Sequence, residues 1–369
     1  GDIGLMGDST DNSYSVVTAI NVDSTGLIDG FAIRNGNAEA VVPNAFTPLN
    51  AGGGMFCNGS DVKIRNCTFQ HNAAYVGGGL FHNVSGNPSI SNCSFLDNTA
   101  RDSGGGLYNV GRPRIESCYF ARNRALFGGG LANQGFNSLA TVLHSEFVQN
   151  TAGYGGGVHN GFIGTIACSH CSFIGNTASN QGGGASNFGN QARFVHCRFE
   201  ENSSQGNGGG FSGSILSSAQ LLHCSFTGNT SAEKGGGIYS PKDLVLQNCL
   251  LSGNRASAGG GIYYDIASGL NVQMNHCTFS GNFAGDRGSP GSSLALFSTC
   301  YPDSPGDVIA QGAFSADAGS ITTNPLFLEP LPASSAPSAG GDYRISACSP
   351  AVDAGNPGLI PAGITSDLD

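Results

Sequence analysis

Residues 155–176 read GGGVHNGFIGTIACSHCSFIGN, and this stretch decides the fold because similar blocks recur along the chain. Each copy begins with three glycines, continues through a short apolar run to Cys-x-Phe, and ends with an Asn three residues after the Phe. Nine copies lie between Gly52 and Asn282, with a period of 24 to 28 residues. A fixed period of this size is typical of a solenoid, in which each repeat packs on its neighbours.

The copies align into three columns of equivalent residues. The aromatic column, with Leu251 in one copy, consists of Phe69, Phe95, Phe120, Phe147, Phe173, Phe199, Phe226 and Phe279. The cysteine column, with Ser145 in one copy, consists of Cys67, Cys93, Cys118, Cys171, Cys197, Cys224, Cys249 and Cys277. The asparagine column consists of Asn72, Asn98, Asn123, Asn150, Asn176, Asn202, Asn229, Asn254 and Asn282. We expect these columns to be structural ladders, with the amides satisfying buried backbone groups.

The spacing within each copy favours strands over helices. Apolar residues alternate, as in Val62 with Ile64 and Cys67 with Phe69, which is the period of a strand. A glycine triplet in every copy excludes a helix there. Parallel strands need a long crossover, and in a solenoid the rest of the coil supplies it. The sequence therefore predicts an all-β parallel β-helix of about 12 coils.

The regularity of the pattern changes along the chain. Residues 1–51 form N-terminal atypical coils with an insertion loop, residues 52–283 hold the regular repeats, and residues 284–369 form degraded coils and a tail. Because the pattern runs through most of the chain, we expect one continuous domain.

Composition narrows the functional classes. Charged residues make up 11% of the chain and the net charge is −10, with no basic patch of the kind that binds nucleic acid. No apolar run approaches the length of a membrane span. The chain starts at Gly1 without a Met, so we expect Gly1 to follow a cleavage or truncation. The Gly/Ser/Asn/Thr-rich, low-charge surface favours an extracellular or cell-surface location.

The cysteines are expected to be reduced, with one exception. Side chains of stacked parallel strands point the same way, which is poor geometry for a disulfide. Buried Cys behaves as a small hydrophobe, so the cysteine column predicts a thiol ladder in the interior. Cys168 and Cys171 have Cys-x-x-Cys spacing, but Cys171 belongs to the ladder. Cys300 and Cys348 lie in the less regular region and are the best disulfide candidates.

A histidine-rich column precedes the cysteine column. Its members are Asn66, Asn92, Ser117, His144, His170, His196, His223, Asn248 and His276. Stacked imidazoles beside thiols could bind Zn²⁺ or Cu. The alternative is a turn position whose polar side chains form hydrogen bonds along the stack, and exchange with Asn favours it. We therefore predict no metal and no cofactor, and expect acid to loosen the stacked histidines.

Acidic residues do not form a catalytic pattern. Polysaccharide lyases and hydrolases need paired carboxylates, a Ca²⁺ cluster or a basic residue on one face. Acids such as Asp97, Glu116 and Glu146 occupy different positions in their coils. We therefore predict no catalytic residue and no enzymatic activity. The alternatives are a carbohydrate-active enzyme and a glycan-binding module, for which the only local aromatic cluster consists of Tyr239, Tyr263 and Tyr264.

Two sets of motifs resemble known families. Gly77-Gly-Gly-Leu80 with Phe69-Gln-His-Asn72, which recur in every copy, resemble the repeats of chlamydial polymorphic outer-membrane proteins. Asn324-Pro-Leu-Phe327 and Ser349-Pro-Ala-Val-Asp-Ala-Gly355 resemble the end of bacterial secreted right-handed β-helix proteins, before a surface anchor. The resemblance covers about residues 30–365. It implies a right-handed β-helix and an exported surface scaffold, structural or adhesive, that could bind a surface glycan or a ligand on a host or neighbouring cell.

The two ends raise the question of assembly. A β-helix exposes strand edges and core at each end, and neither end of this sequence has an amphipathic capping helix. Either the chain is a piece of a longer surface protein, or its ends stack head to tail into a filament.

Overall fold

A computed structural model describes residues 14–40, 46–83, 86–136, 138–264, 272–285, 301–302, 308–310 and 327–345. It divides into two compact units. The first consists of residues 1–179 and 183–192, and the second of residues 180–182 and 193–369.

The first unit is built from coils that each supply one strand to three parallel sheets. Sheet A contains Val17–Ile20, Met55–Asn58, Leu80–His82, Leu107–Asn109, Leu131–Gln134, Val158–Gly161 and Ala185–Asn187. Sheet B contains Leu27–Asp29, Lys63–Arg65, Ser89–Ser91, Arg114–Glu116, Leu139–Leu143 and Thr165–Ser169. Sheet C contains Ala32–Arg34, Thr68–Gln70, Ser94–Leu96, Tyr119–Ala121, Glu146–Val148 and Ser172–Ile174.

The second unit repeats the same three strand positions. Its sheet A strands are Phe211–Gly213, Ile238–Ser240, Ile262–Tyr264 and Val308–Ala310. Its sheet B strands are Ser218–Leu222, Leu244–Gln247 and Val272–Asn275. Its sheet C strands are Arg198–Glu200, Ser225–Thr227, Leu250–Ser252, Thr278–Ser280 and Tyr301–Pro302.

Short strands form a fourth position, before the glycine triplets. In the first unit they are Asn37–Ala38, Ala73–Val76, Thr99–Ser103 and Thr151–Tyr154, and in the second Ser203–Ser204, Thr230–Ser231, Arg255–Ala256 and Phe283–Ala284. Thr177–Gln181, at this position, and Gln191–Val195, in sheet B, carry residues of both units. The second unit also contains an antiparallel pair, Phe327–Glu329 with Asp342–Ile345, and a short 3₁₀ turn at Ala333–Ser335.

Three left-handed backbone positions per coil explain the repeat. They are the residue before the cysteine column (His170, φ 54°), the residue before the asparagine column (Gln149, φ 54°) and the first glycine of the triplet (Gly77, φ 66°). A Cβ on Gly77 would lie 2.6 Å from Leu80 O, so only glycine fits there. Asn and His tolerate this conformation better than most residues, which accounts for their exchange in the histidine-rich column.

The aromatic column forms the centre of each unit's core. In the first unit, the rings of Phe95 and Phe120 are parallel within 3° with centroids 4.6 Å apart. In the second, Phe199 and Phe226 stack at 4.5 Å. All eight phenylalanines of the column are completely buried. Burying one such ring stabilises the fold by about 1.5–3 kcal/mol, so the stack is a major source of stability.

The insertion loop covers part of the outer face of sheet A. Phe46 packs its ring 5.1 Å from that of Phe81 and 5.8 Å from that of Tyr108. Phe81 and Tyr108 are buried, although they project on the side opposite the inward-facing Leu80 and Leu107. These strands are therefore apolar on both faces.

The predicted fold class is confirmed and the predicted number of coils is wrong. The structure is an all-β parallel solenoid with no α-helix in the residues it describes. Counted over both units, these residues supply at most eleven strands to any one sheet position, fewer than the predicted coils. The division into segments 1–51, 52–283 and 284–369 within one continuous domain remains a prediction.

Candidate functional surface and internal ladders

The asparagine column forms a hydrogen-bonded ladder inside the first unit. Asn123 Nδ2 donates to Asn150 Oδ1 at 3.0 Å and to Phe95 O at 2.8 Å. Asn150 Oδ1 also accepts the backbone N–H of Asn123 at 2.9 Å. The same pattern joins Asn72 to Asn98, Asn98 to Asn123, and Asn150 to Asn176. Each internal amide thereby satisfies its own polar atoms and a backbone carbonyl that would otherwise be buried without a partner.

The second unit contains its own ladder with the same geometry. Asn202 donates to Asn229 at 3.0 Å, Asn229 to Asn254 at 2.9 Å, and Asn254 to Asn282 at 2.8 Å. All of these side chains are buried. Because their donors and acceptors are used within the ladder, these side chains stabilise the fold and do not present a binding site.

A second amide ladder runs along sheet A of the first unit, and sequence reasoning missed it. Asn109 donates to Asn133 at 2.7 Å, Asn133 to Asn160 at 2.7 Å, and Asn160 to Asn187 at 2.8 Å. His82 extends it through Nδ1, which lies 2.7 Å from Asn109 Oδ1. The sequence pattern that marks this ladder is an Asn five residues after the first glycine of the triplet, in four consecutive copies.

The cysteine column lies in the interior as a row of thiols. The ten described cysteines, which include Cys57 and Cys168, are all buried thiols. The column's Sγ atoms donate to backbone carbonyls, as from Cys93 to Ser91 O at 3.2 Å. Burial raises the pKa of the Cys57 thiol to about 12. Ser145 replaces the cysteine in one coil, and its hydroxyl donates in the same way to Leu143 O at 2.8 Å. Cys300 and Cys348 lie outside the described residues.

The residues of the histidine-rich column all have a left-handed backbone conformation. His144 and His170 stack in the first unit with ring centroids 4.9 Å apart, and His196 and His223 stack in the second at 4.7 Å. Their φ angles lie between 46° and 54°. Within the described ranges, no group of three or more His, Cys, Asp or Glu side chains has an arrangement that could hold a metal ion.

Several acids are engaged in exposed ion pairs. Asp97 Oδ1 accepts a 2.8 Å bond from Arg122 Nε, and this hydrogen bond lowers the pKa of Asp97. The other pairs are Asp29–Arg65, Glu39–Arg101, Glu116–Arg114 and Glu200–Arg198. These contacts connect acids to arginines of the same coil or of a coil one or two steps along the stack, rather than acids to each other.

The predicted tyrosine cluster is largely covered. Tyr239 is partly exposed, whereas Tyr263 is only 5% exposed and Tyr264 only 2%. Lys234 Nζ lies 4.4 Å above the ring of Tyr263. The three side chains therefore do not form an open aromatic platform of the kind that stacks against sugar rings.

An aromatic pocket around His159 is a second feature that sequence reasoning missed. His159 Nδ1 lies 2.8 Å from Ser186 Oγ, and its ring packs against Phe127 at 5.1 Å and Phe188 at 5.7 Å. Burial lowers the pKa of His159 to about 3. The imidazole is therefore neutral at physiological pH. The sequence offered no signal, because the equivalent position holds Ala132 and Ser186 in the flanking coils.

Two family models match parts of the chain and agree with this architecture. Residues 7–162 match the family model "Right handed beta helix region", and residues 223–241 match the "Chlamydia polymorphic membrane protein (Chlamydia_PMP) repeat". The solved structure of pectate lyase Pel9A is similar at 12% identity, with a TM-score of 0.45, over 98% of this chain and 96% of that chain. No curated protein matches the chain.

Fold and repeat together define the class, a parallel β-solenoid. More specifically, residues 7–162 are similar to right-handed β-helix regions, and residues 223–241 are similar to a repeat of the polymorphic membrane proteins. In the described part of the chain, no helix is long and apolar enough to cross a bilayer.

Proposed function

We propose that this chain is a non-enzymatic scaffold at the cell surface, with a structural or adhesive role. The observation that carries the proposal is the use of the repeated polar residues as internal ladders, as in the bonds from Asn123 to Asn150 and Phe95. The match to the polymorphic membrane protein repeat supports a surface location. A sequence that repeats its core and corners in every coil specifies a long regular surface, rather than one reactive site.

The charged side chains also favour a scaffold. A β-helix lyase or hydrolase would need carboxylates from neighbouring coils to converge on one groove. Here Asp97 is held by Arg122, and Glu116 by Arg114. Such exposed ion pairs add little stability, but they occupy the carboxylates.

An activity assay distinguishes the scaffold from a carbohydrate-active enzyme. The purified chain is incubated with polygalacturonate, with and without Ca²⁺, and formation of unsaturated uronate is followed by absorbance. We expect no product. Turnover that disappears in Asp97→Asn or Glu116→Gln would overturn the proposal, because it would make one of those acids part of a catalytic site.

A binding screen separates an adhesive from a purely structural role. The chain is applied to arrays of bacterial and host surface glycans, and protease treatment of intact source cells tests its exposure at the surface. Binding at the array with release of β-helix fragments from the cells supports an adhesin. Release of fragments without glycan binding supports a structural scaffold, and protection of the chain in intact cells argues against both.

We also propose that the chain associates end to end. The first described coil carries Val16, Ile20, Leu27 and Phe31 between 43% and 61% exposed. This coil supplies the terminal strands of sheets A, B and C, which pair with a described strand on one side. Strand edges that have no partner among the described residues, beside exposed apolar side chains, favour addition of another copy.

Electron microscopy and sedimentation velocity test this association. We expect concentration-dependent linear oligomers that Leu27→Lys with Phe31→Lys shifts to monomers. Exposed Tyr75→Lys, which lies outside this coil, serves as the control and leaves the oligomers unchanged. A monomer at all concentrations would rule the proposal out.

A further inference from the structure

Two neighbouring turns of the first unit hold apolar side chains in solvent. The turn after Leu131–Gln134 carries Phe136, which is 73% exposed, and the turn after Val158–Gly161 carries Phe162 at 70% and Ile163 at 53%. The strands flanking these turns are paired in register, so the turns are about 4.8 Å apart. We call Phe136, Phe162 and Ile163 the apolar ridge.

The backbone at the ridge is unfavourable for the residue it carries. Phe162 has φ 47°, a left-handed conformation that a bulky side chain rarely adopts. The chain thus combines a strained backbone with an exposed aromatic ring, and neither helps it to fold. Strain that persists at an exposed position points to an interaction made by that residue.

The charge around the ridge differs from that of the whole chain. Residues 117–192 contain one acid, Glu146, and two arginines, in a protein with 25 acids and 15 basic residues. Glu146 lies in sheet C, whereas the ridge lies in turns between sheets A and B. Arg112 is exposed in the corresponding turn one coil earlier. The ridge therefore lies in an acid-poor part of the chain, and the cation Arg112 lies beside it in the preceding coil, which also carries Glu116.

We propose that the apolar ridge inserts into an anionic lipid surface. Projecting rings and an aliphatic side chain can enter the boundary between headgroups and acyl chains, while Arg112 contacts lipid phosphates. A second copy of the chain fits less well, because a stable protein interface buries about 800 Å² on each partner and the ridge has three side chains. The inference does not depend on the scaffold role, because vesicle binding is measured independently of glycan binding or catalysis.

The second unit carries a turn with the same character. Ile215 is 70% and Leu216 80% exposed, between strands Phe211–Gly213 and Ser218–Leu222. This turn also connects a sheet A strand to a sheet B strand. An exposed apolar turn at this position is therefore not confined to one coil.

Vesicle flotation tests the proposal directly. The full chain is mixed with vesicles of equal parts phosphatidylcholine and phosphatidylglycerol, or of phosphatidylcholine alone. The ridge variant combines Phe136→Ser, Phe162→Ser and Ile163→Ser. The matched control is Tyr75→Ser, since Tyr75 is 42% exposed outside both the ridge and the first described coil. A further variant, Phe162→Gly, removes the ring while suiting the left-handed backbone, so a loss of binding there cannot come from misfolding.

We expect the wild-type chain to float with the mixed vesicles, less so at high salt or without phosphatidylglycerol. The ridge variant should lose at least about tenfold in partition coefficient, Phe162→Gly should lose part of it, and Tyr75→Ser should bind like wild type. Failure of the wild-type chain to float, equal binding to both vesicle types, or undiminished binding by the ridge variant would overturn the proposal. So would a dimer that the ridge variant abolishes without any vesicle binding, because it would assign the ridge to a second copy.

Discussion

Asn123 Nδ2 donates a 3.0 Å hydrogen bond to Asn150 Oδ1, and the two side chains are completely buried in neighbouring coils. The bond is one step of a ladder in which every internal amide contacts the next amide and a backbone carbonyl. A buried amide without partners would cost about 1–3 kcal/mol, so the ladder requires the same residue in each coil. This requirement explains why the asparagine column has no exception in nine copies.

Removing one ring from the aromatic stack should destabilise the fold strongly. Phe120 is completely buried between Phe95 and Phe147, at 4.6 and 4.7 Å. We expect Phe120→Ala to reduce the free energy of unfolding by about 3–5 kcal/mol, since it removes apolar burial and leaves a cavity. Phe136→Ala, at an exposed position, is the control and should change it by less than about 0.5 kcal/mol. Urea unfolding measures both, and similar values for the two variants would contradict a stacked core.

The backbone conformation, rather than the imidazole, should decide which residues fit the histidine-rich column. His144 has φ 46°. We expect His144→Asn to be nearly neutral and His144→Val to cost about 1–2 kcal/mol, because a β-branched residue is strained in this conformation. Both variants lose the ring contact with His170. The difference between their stabilities therefore measures the backbone strain alone. Equal thermal midpoints for the two would argue against this explanation.

The neutral His159 should make the protein sensitive to acid. Burial lowers its pKa from 6.5 to about 3. The unfolded chain therefore takes up the proton at a higher pH than the folded chain, so this contribution to stability is complete above about pH 6.5 and is lost as the pH falls towards 3. We expect His159→Phe to flatten the pH dependence of the unfolding free energy across that window. An unchanged pH profile would show that His159 is not the responsible group.

The cysteines should react only when the protein unfolds. The ten described thiols are buried, so an alkylating reagent cannot reach them in the folded protein, and the pKa of Cys57 is in addition raised to about 12. Alkylation of the native protein should be slow at neutral pH, and alkylation in denaturant should label at least the ladder cysteines. Rapid labelling of Cys93 or Cys224 in the native protein would contradict an interior ladder. Peptide mapping of the same samples tests the predicted Cys300–Cys348 disulfide.

The sequence predicted the parts of the fold that repeat. Phe120 and Asn123 recur with a fixed spacing in successive copies, and a fixed period implies a fixed place in the coil. The alternation of apolar residues then assigned Phe120 to the interior, where the structure has it.

Features built by single residues could not be predicted in this way. Phe46 covers the outer face of sheet A, and His159 occupies its aromatic pocket, through contacts between segments with no common pattern. The exposure of the apolar ridge could not be predicted either, because Phe136 and Phe162 resemble core residues in the sequence. Whether Phe136 and Phe162 are buried or exposed depends on the direction in which each side chain leaves its turn.

The central claim, that the asparagine column is a structural ladder linking successive coils, is tested most directly by a double-mutant cycle. Asn123→Ala, Asn150→Ala and the double variant are compared by urea unfolding, with the distant pair Asn72 and Asn176 as the control. We predict losses of about 2 kcal/mol or more for each single variant of the first pair, with a coupling energy of about 1 kcal/mol, and additive effects for the control pair. Losses below about 0.5 kcal/mol with no coupling between Asn123 and Asn150 would contradict the account.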